Sequence, residues 1–285
     1  MPRLVISLFG PLRVTLDGEP VSGFESDKVR ALLAYLAVET EVPHRREKLA
    51  GLLWPDQPES VARANLRHVL ASLRKALGDG ARSPDRAASP HFLHISRQTI
   101  QFSRASDAWV DVQAFIDLLQ TKLSANQQTL HQLEEAVELV HGAFLEGFSL
   151  PGCYAFEEWV LFEGERLQRL VMEALERLSD HYEQQGNVER ALAYAWRQVE
   201  QEPWREEAHQ QVMWLLALNG QRGAALAQYE TCRRSLVEEL GVEPAAETTQ
   251  LYEQIRDGEL VVSAVALTLN RELERAARVP RFLVE

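Results

Sequence analysis

Hydrophobic and polar positions set the first divisions of this 285-residue chain. Leu4, Ile6 and Leu8 alternate with Val5, Ser7 and Phe9, and Leu12, Val14 and Leu16 alternate with Arg13, Thr15 and Asp17. Period two predicts half-buried strands, and Asp17-Gly18 is a strong turn signal. The period then lengthens. Val29, Leu32, Leu33 and Leu36 fall at i, i+3, i+4 and i+7, an amphipathic helix with Ser26 placed to cap it. A second helix is predicted over 46–54, with Leu49, Leu52 and Leu53 inward and Pro55 ending it. A third is expected to start at Asp56, with Pro58 in its first turn. It buries Leu66, Val69, Leu70, Leu73 and Leu77 and stops at Gly78. A polar loop over 79–90 carries Arg82 and Arg86, and two strands follow. If their turn lies at Arg97-Gln98, Ile95 pairs with Ile100 and Leu93 with Phe102.

From Asp111 to Gly258 the apolar pattern is helical almost throughout, with breaks at 142–152, Gly186, Gly220 and 241–244. Ala174 and Ala208, Gly186 and Gly220, Ala191 and Ala225, and Leu192 and Leu226 are each separated by 34 positions. That is the period of a tetratricopeptide repeat (TPR), in which each helix pair buries its face on the next. Two copies need flanking helices to close their ends. The candidates lie over 111–123, 130–140, 155–185 and 246–257. The expected fold is therefore multidomain and α-rich. An N-terminal α+β winged helix-turn-helix occupies 1–106, and a C-terminal all-α TPR-like helical repeat domain occupies 107–258. The tail over 259–285 reads as a last helix of the body, a dimer contact or the stub of a further domain.

Charge changes the picture once it is divided. The whole chain carries −12, which taken alone argues against a nucleic-acid partner. Residues 1–106 hold fifteen Lys and Arg against eleven Asp and Glu, a surplus of four positive charges. The tail is balanced, so residues 107–258 carry −16. No uncharged run reaches the roughly 18–20 apolar residues of a membrane span, so no membrane association is expected. The N-terminal apolar stretch lacks a small-residue cleavage site and is not read as a signal peptide. Cys153 and Cys232 are isolated, which fits a reducing cytoplasm and supplies neither a disulfide framework nor a zinc site.

The third helix carries the informative chemistry. Between Ser60 and Gly78 it holds Arg63, Arg67, Arg74 and Lys75 and no acid. Asn65, His68, Ser72 and Lys75 form a second stripe, read as facing away from the core. Such a helix fits the major groove: Asn bonds an adenine edge, Arg or Lys a guanine edge, and other cations take phosphates. The competing reading is a solvated basic face. Base recognition is assigned to Asn65, Arg67, His68, Ser72, Arg74 and Lys75, and phosphate contacts to Arg46, Lys48, Arg63 and Arg97, the last on the hairpin that forms the wing.

Several blocks in this part of the chain carry a resemblance. They are Leu8-Phe9-Gly10-Pro11-Leu12-Arg13-Val14, Lys28 to Leu36, Leu53-Trp54-Pro55-Asp56, Ala62 to Arg67 and Leu73 to Gly78. Together they resemble the N-terminal winged helix of the Streptomyces antibiotic regulatory protein family, itself similar to the OmpR/PhoB type. The Gly-Tyr usual in that wing is replaced by Ser96-Arg97-Gln98-Thr99. Trp109 to Phe115, Glu202 to His209 and Glu238-Glu239-Leu240-Gly241-Val242-Glu243-Pro244 look like the bacterial transcriptional activator domain that follows it in the same regulators. The resemblance implies a transcription activator that binds direct repeats in double-stranded promoter DNA and contacts RNA polymerase; a second copy of the chain, as a homodimer on DNA, is a further candidate partner. The alternative is a TPR-type protein-interaction scaffold, or the regulatory N-terminal part of a larger signalling protein, with a degenerate winged helix.

Other chemistry is weaker. No G-x-x-x-x-G-K-[ST] occurs. His91 and His94 at strand spacing point to opposite faces, and no further ligand completes a metal site. Glu157, Glu158, Glu163 and Glu165 read as a solvated acidic face, and Trp159, Trp196, Trp204 and Trp214 as repeat-packing residues. No enzyme, cofactor or metal is expected.

Overall fold

The structure, a computed structural model, describes residues 3–78, 91–120 and 127–259. The loop holding Arg82 and Arg86, the end of the helix expected over 111–123, and the tail from Leu260 lie outside the described residues. The chain forms two compact units, 1–171 and 172–285.

In the first unit, β1 (Leu4–Ser7) pairs antiparallel with β2 (Arg13–Leu16), which pairs with β3 (Glu19–Pro20). Asp17 and Gly18 both take positive φ, at 53° and 87°, so this two-residue hairpin matches the right-handed twist of its strands. Helices α1 (Asp27–Val38), α2 (Arg46–Leu53) and α3 (Glu59–Ala76) follow, with β4 (His44–Arg45) between the first two. Strands β5 (Leu93–Ile95) and β6 (Thr99–Phe102) form a hairpin with Leu93 opposite Phe102 and Ile95 opposite Ile100, the register expected from sequence. β4 adds to its far edge, giving the order β4-β6-β5.

The sheet of β1 gains a fourth strand from beyond the winged helix. β7 (Ala108–Val110) lies parallel to β1, with Val5 opposite Trp109. It leads into α4 (Asp111–Gln120), whose first carboxylate accepts the buried N–H groups of Leu8 (2.7 Å) and Phe9 (2.9 Å). After α5 (Gln127–Glu138), the segment around Phe144 runs beside the end of β1: Gly10 N–H bonds Ala143 O (2.8 Å) and Leu145 N–H bonds Leu8 O (2.8 Å). A Cβ on Gly142 would stand 3.0 Å from the Gly10 Cα, so glycine permits this approach.

α1 is buried over nine of its twelve residues, more than one amphipathic face. It packs against α2, α3 and β6 and meets the long α6 (Tyr154–Gln184), where Tyr35 and Trp159 rings lie 4.9 Å apart. Ser26 stands at the N-cap position, yet its side chain makes no cap hydrogen bond. The start of α3 also differs from expectation: the N-cap is Pro58, not Asp56. The Pro58 carbonyl receives the N–H groups of Val61 and Ala62, so the proline precedes the first turn.

Among the described residues, the second unit is all helical. The end of α6 is followed by α7 (Val188–Gln201), α8 (Glu206–Leu218), α9 (Arg222–Leu240) and α10 (Ala246–Asp257). The two repeat turns share one hydrogen-bond pattern. Gly186 N–H bonds Glu183 O and Asn187 N–H bonds Tyr182 O; Gly220 N–H bonds Ala217 O and Gln221 N–H bonds Leu216 O. Both glycines are left-handed, at φ 75° and 73°, as this helix stop requires. Ala174, Ala191, Ala208 and Ala225 are all buried where the helices approach. α10 packs on α8 and α9.

Candidate nucleic-acid interface

α3 presents its apolar stripe to the core and the rest of its circumference outward. At roughly 100° per residue, Arg63, Arg67, Ala71, Arg74, His68 and Lys75 span the exposed arc, with Ala71 near its middle. Asn65 is half-buried at the margin. Ser72 is a correction to the sequence reading: it is 6% exposed, and its hydroxyl has no hydrogen-bond partner among the described residues. Its place on the helical wheel is next to Val69, so the stripe drawn through Asn65 and Ser72 tilts into the core.

The cations differ in their surroundings. Arg63 is paired with Glu47 of α2 (3.1 Å) and with Glu59 one turn before it (3.3 Å). Arg67 Nε donates to the Arg63 carbonyl (3.3 Å), leaving an exposed guanidinium on the outer face. Arg74 is exposed, and Lys75 is exposed with no ion pair among the described residues. Lys48 is exposed on α2, 5.7 Å from the Tyr35 ring centre. The hydrogen bond that its ammonium donates to the Tyr35 hydroxyl oxygen holds it above the ordinary lysine pKa, against a smaller opposing effect of burial.

At the wing, Arg97 is exposed at the turn between β5 and β6. Neither Arg97 nor Gln98 takes a positive φ, so this is not the primed turn of a standard two-residue hairpin. Ser96 sustains it instead, its Oγ accepting the N–H groups of Gln98 (3.1 Å) and Thr99 (2.8 Å). Arg46 does not point into open solvent: Nε (3.2 Å) and Nη2 (2.9 Å) both donate to the Ser96 carbonyl. Sequence reading passed over Arg45, exposed on β4 and paired with Thr99 of the wing, and Ala71 on the outer arc of α3. A two-residue strand has no period to detect. The signal for Ala71 was available in the acid-free run around it, since an exposed Ala methyl is suited to a thymine methyl.

The remaining chemistry is structural. No group of His, Cys, Asp and Glu among the described residues is arranged to hold a metal. Cys153 is buried against the Leu53 carbonyl (3.1 Å), and burial pushes the Cys232 thiol up to about 12. Glu163 is buried and bonded to Arg166 (3.1 Å), so it leaves the solvated face expected of it. Trp159 belongs to the first unit, packed with Tyr35, Phe144 and Phe156. In the second unit the recognisable words are joints: Glu206 accepts the Ala245 N–H (2.9 Å) and the Thr248 hydroxyl, and Arg233 pairs with Glu243 (2.6 Å).

The fold is an N-terminal winged helix followed by a helical-repeat body. Residues 110–256 match the family described as Bacterial transcriptional activator domain, and the chain belongs to that family, in the Streptomyces antibiotic regulatory protein arrangement. It is 28% identical to the Regulatory protein AfsR of Streptomyces coelicolor, over 88% of this chain and 24% of that protein. It is 27% identical to the Transcriptional regulatory protein EmbR of Mycobacterium tuberculosis, over 89% of this chain and 63% of that protein. With the Transcriptional regulator RedD of S. coelicolor the identity is 29%, over 85% and 67%. The chain thus spans about a quarter of AfsR and under two thirds of EmbR. The solved structure of M. tuberculosis EmbR in complex with a low-affinity phosphopeptide shares the fold, with a TM-score of 0.64 at 23% identity over 94% of this chain and 71% of that one. No helix among the described residues is long and apolar enough to cross a membrane.

Proposed function

We propose that this chain is a sequence-specific DNA-binding transcription regulator, an activator that reads promoter direct repeats through α3 and the wing. The observation that carries the reading is the outer arc of α3, where Arg67, His68, Arg74 and Lys75 stand together without a carboxylate beyond the first turn. α3 enters the major groove, Arg67 and Arg74 bond guanine edges or phosphates, and Arg97 of the wing meets the backbone. The winged-helix sequence is taken as 1–106 and the activator domain as 107–258, while the compact unit that holds the winged helix extends to residue 171. The protein acts in the cytoplasm, without catalysis, cofactor or metal. Relatives named as transcriptional regulators support this reading.

The body, with its charge of −16 over 107–258, repels DNA and is the arm for protein contacts, RNA polymerase first and a second copy on adjacent half-sites next. A groove of about 460 Å³, lined by Trp204, Leu240 and Val242 with Glu202 and Glu207, also favours a scaffold role for the body. Footprinting of the purified chain on genomic DNA separates the two. Protection of closely spaced direct repeats, weakening steeply with salt, is the expected result. No protection at any salt concentration overturns DNA binding and leaves the scaffold.

A further inference from the structure

The backbone of the wing turn is hydrogen-bonded to the start of α2. We propose that Arg46 is a positioning residue that fixes the Ser96–Thr99 turn and so presents Arg97 to the DNA backbone, and is not itself a phosphate contact. This rests on the reading that the wing meets DNA.

The turn has no glycine and no left-handed residue among Ser96, Arg97, Gln98 and Thr99, so its backbone has no intrinsic lock. Two devices supply one. From inside, the Ser96 hydroxyl accepts two N–H groups and pairs with the Thr99 hydroxyl at 2.8 Å. From outside, two N–H groups of one planar guanidinium converge on the Ser96 carbonyl. The Arg46 backbone N–H donates to Gln98 O at 2.9 Å, so the same residue grips the turn on both sides of Arg97. A two-point grip sets orientation as well as distance, which a lysine ammonium at the same place does not. Arg46 is half-buried under this contact whereas Arg97 is exposed beyond it.

The test is a double-mutant cycle on the full chain, measured as affinity for a labelled duplex found by footprinting. Arg46→Lys keeps the charge and loses the fork, Arg97→Ala removes the presented cation, and the third variant carries both. Each single change is expected to weaken binding by about tenfold, the worth of one charged hydrogen bond. Each is expected to flatten the dependence of log affinity on log salt by about 0.9. The double variant is expected to be no weaker than Arg97→Ala. Ser96→Ala, which releases the turn without touching a cation, is expected to reproduce the loss and guards against a misfolded Arg46→Lys. Multiplying losses overturn the positioning role and restore Arg46 as a contact. An Arg97→Ala variant that binds like the parent, beside a weakened Lys75→Ala, also overturns it while leaving α3 as the reader. Failure of the parent chain to bind any duplex overturns the DNA reading itself, and the inference with it.

Discussion

The indole N–H of Trp159 donates to the Glu39 carboxylate across 2.9 Å, joining the first half of α6 to the end of α1. With the Tyr35, Phe144 and Phe156 rings within 6 Å of the indole centre, the winged-helix core is completed by residues far along the chain. A fragment ending at residue 106 lacks this cluster, the β7 strand and the Asp111 acceptor for two buried N–H groups. Each abandoned N–H costs about 1–3 kcal/mol, a large part of a small domain's stability. Residues 1–106 are expected to give no cooperative urea transition by circular dichroism, whereas residues 1–171 give one. Equal midpoints for the two fragments would contradict this.

The acidic partners of Arg63 set it apart from Lys75. Glu47 and Glu59 already neutralise its guanidinium, so moving it to a phosphate exchanges existing pairs for a new one. Lys75 is exposed with no ion pair among the described residues. On a footprinted duplex, Lys75→Ala is expected to reduce the salt slope by about 0.9, and Arg63→Ala by clearly less. The reverse ranking would place the DNA backbone nearer the start of α3.

Much of this was legible because it is periodic. The separation of 34 residues between Gly186 and Gly220 marks two helix stops with matching hydrogen bonds, and alternation together with a turn placed at Arg97-Gln98 set Leu93 against Phe102. What escaped is either short or tertiary. β4 and β7, of two and three residues, show no alternation. The grip of Arg46 on Ser96 joins positions fifty apart and leaves no trace in local pattern. Ser72 escaped for another reason: a hydroxyl reads as polar, while its place on the wheel beside Val69 buries it.

His209 should make the second unit sensitive to acid. Gln228 Nε2 donates to its Nδ1 (2.7 Å), so Nε2 carries the proton and donates to Pro203 O (2.8 Å), a pattern only the neutral ring satisfies. Burial lowers its pKa below the usual histidine value, with smaller opposing effects from Pro203 and Glu206. Above about pH 6.5 the ring is neutral folded and unfolded, and the stability is complete. As pH falls below that value the unfolded chain takes up a proton that the folded one resists. Stability is then lost, by at most about 1.4 kcal/mol per pH unit, until the folded ring protonates. His209→Gln is expected to be less stable than the parent at pH 7.5, with the gap narrowing at pH 5.5 in urea titrations. A gap that stays constant would show that His209 does not titrate differently on folding.

Ser72 supplies the sharpest test of which face of α3 reads DNA. Its hydroxyl is buried at 6% exposure without a hydrogen-bond partner among the described residues, so the folded state bears part of the cost of stripping water from it. Ser72→Ala removes that cost and one small atom. Its stability is expected to match the parent or exceed it by about 1 kcal/mol. Because the side chain cannot reach a base from beside Val69, affinity for a footprinted duplex should stay within about twofold, well under the cost of a lost base contact. His68→Ala, one turn earlier on the exposed arc, is the paired control and is expected to lose affinity with an unchanged melting temperature. A tenfold loss for Ser72→Ala at full stability would mean that α3 turns on its axis when it binds, bringing the margin with Asn65 and Ser72 to the bases and carrying Arg74 away from them.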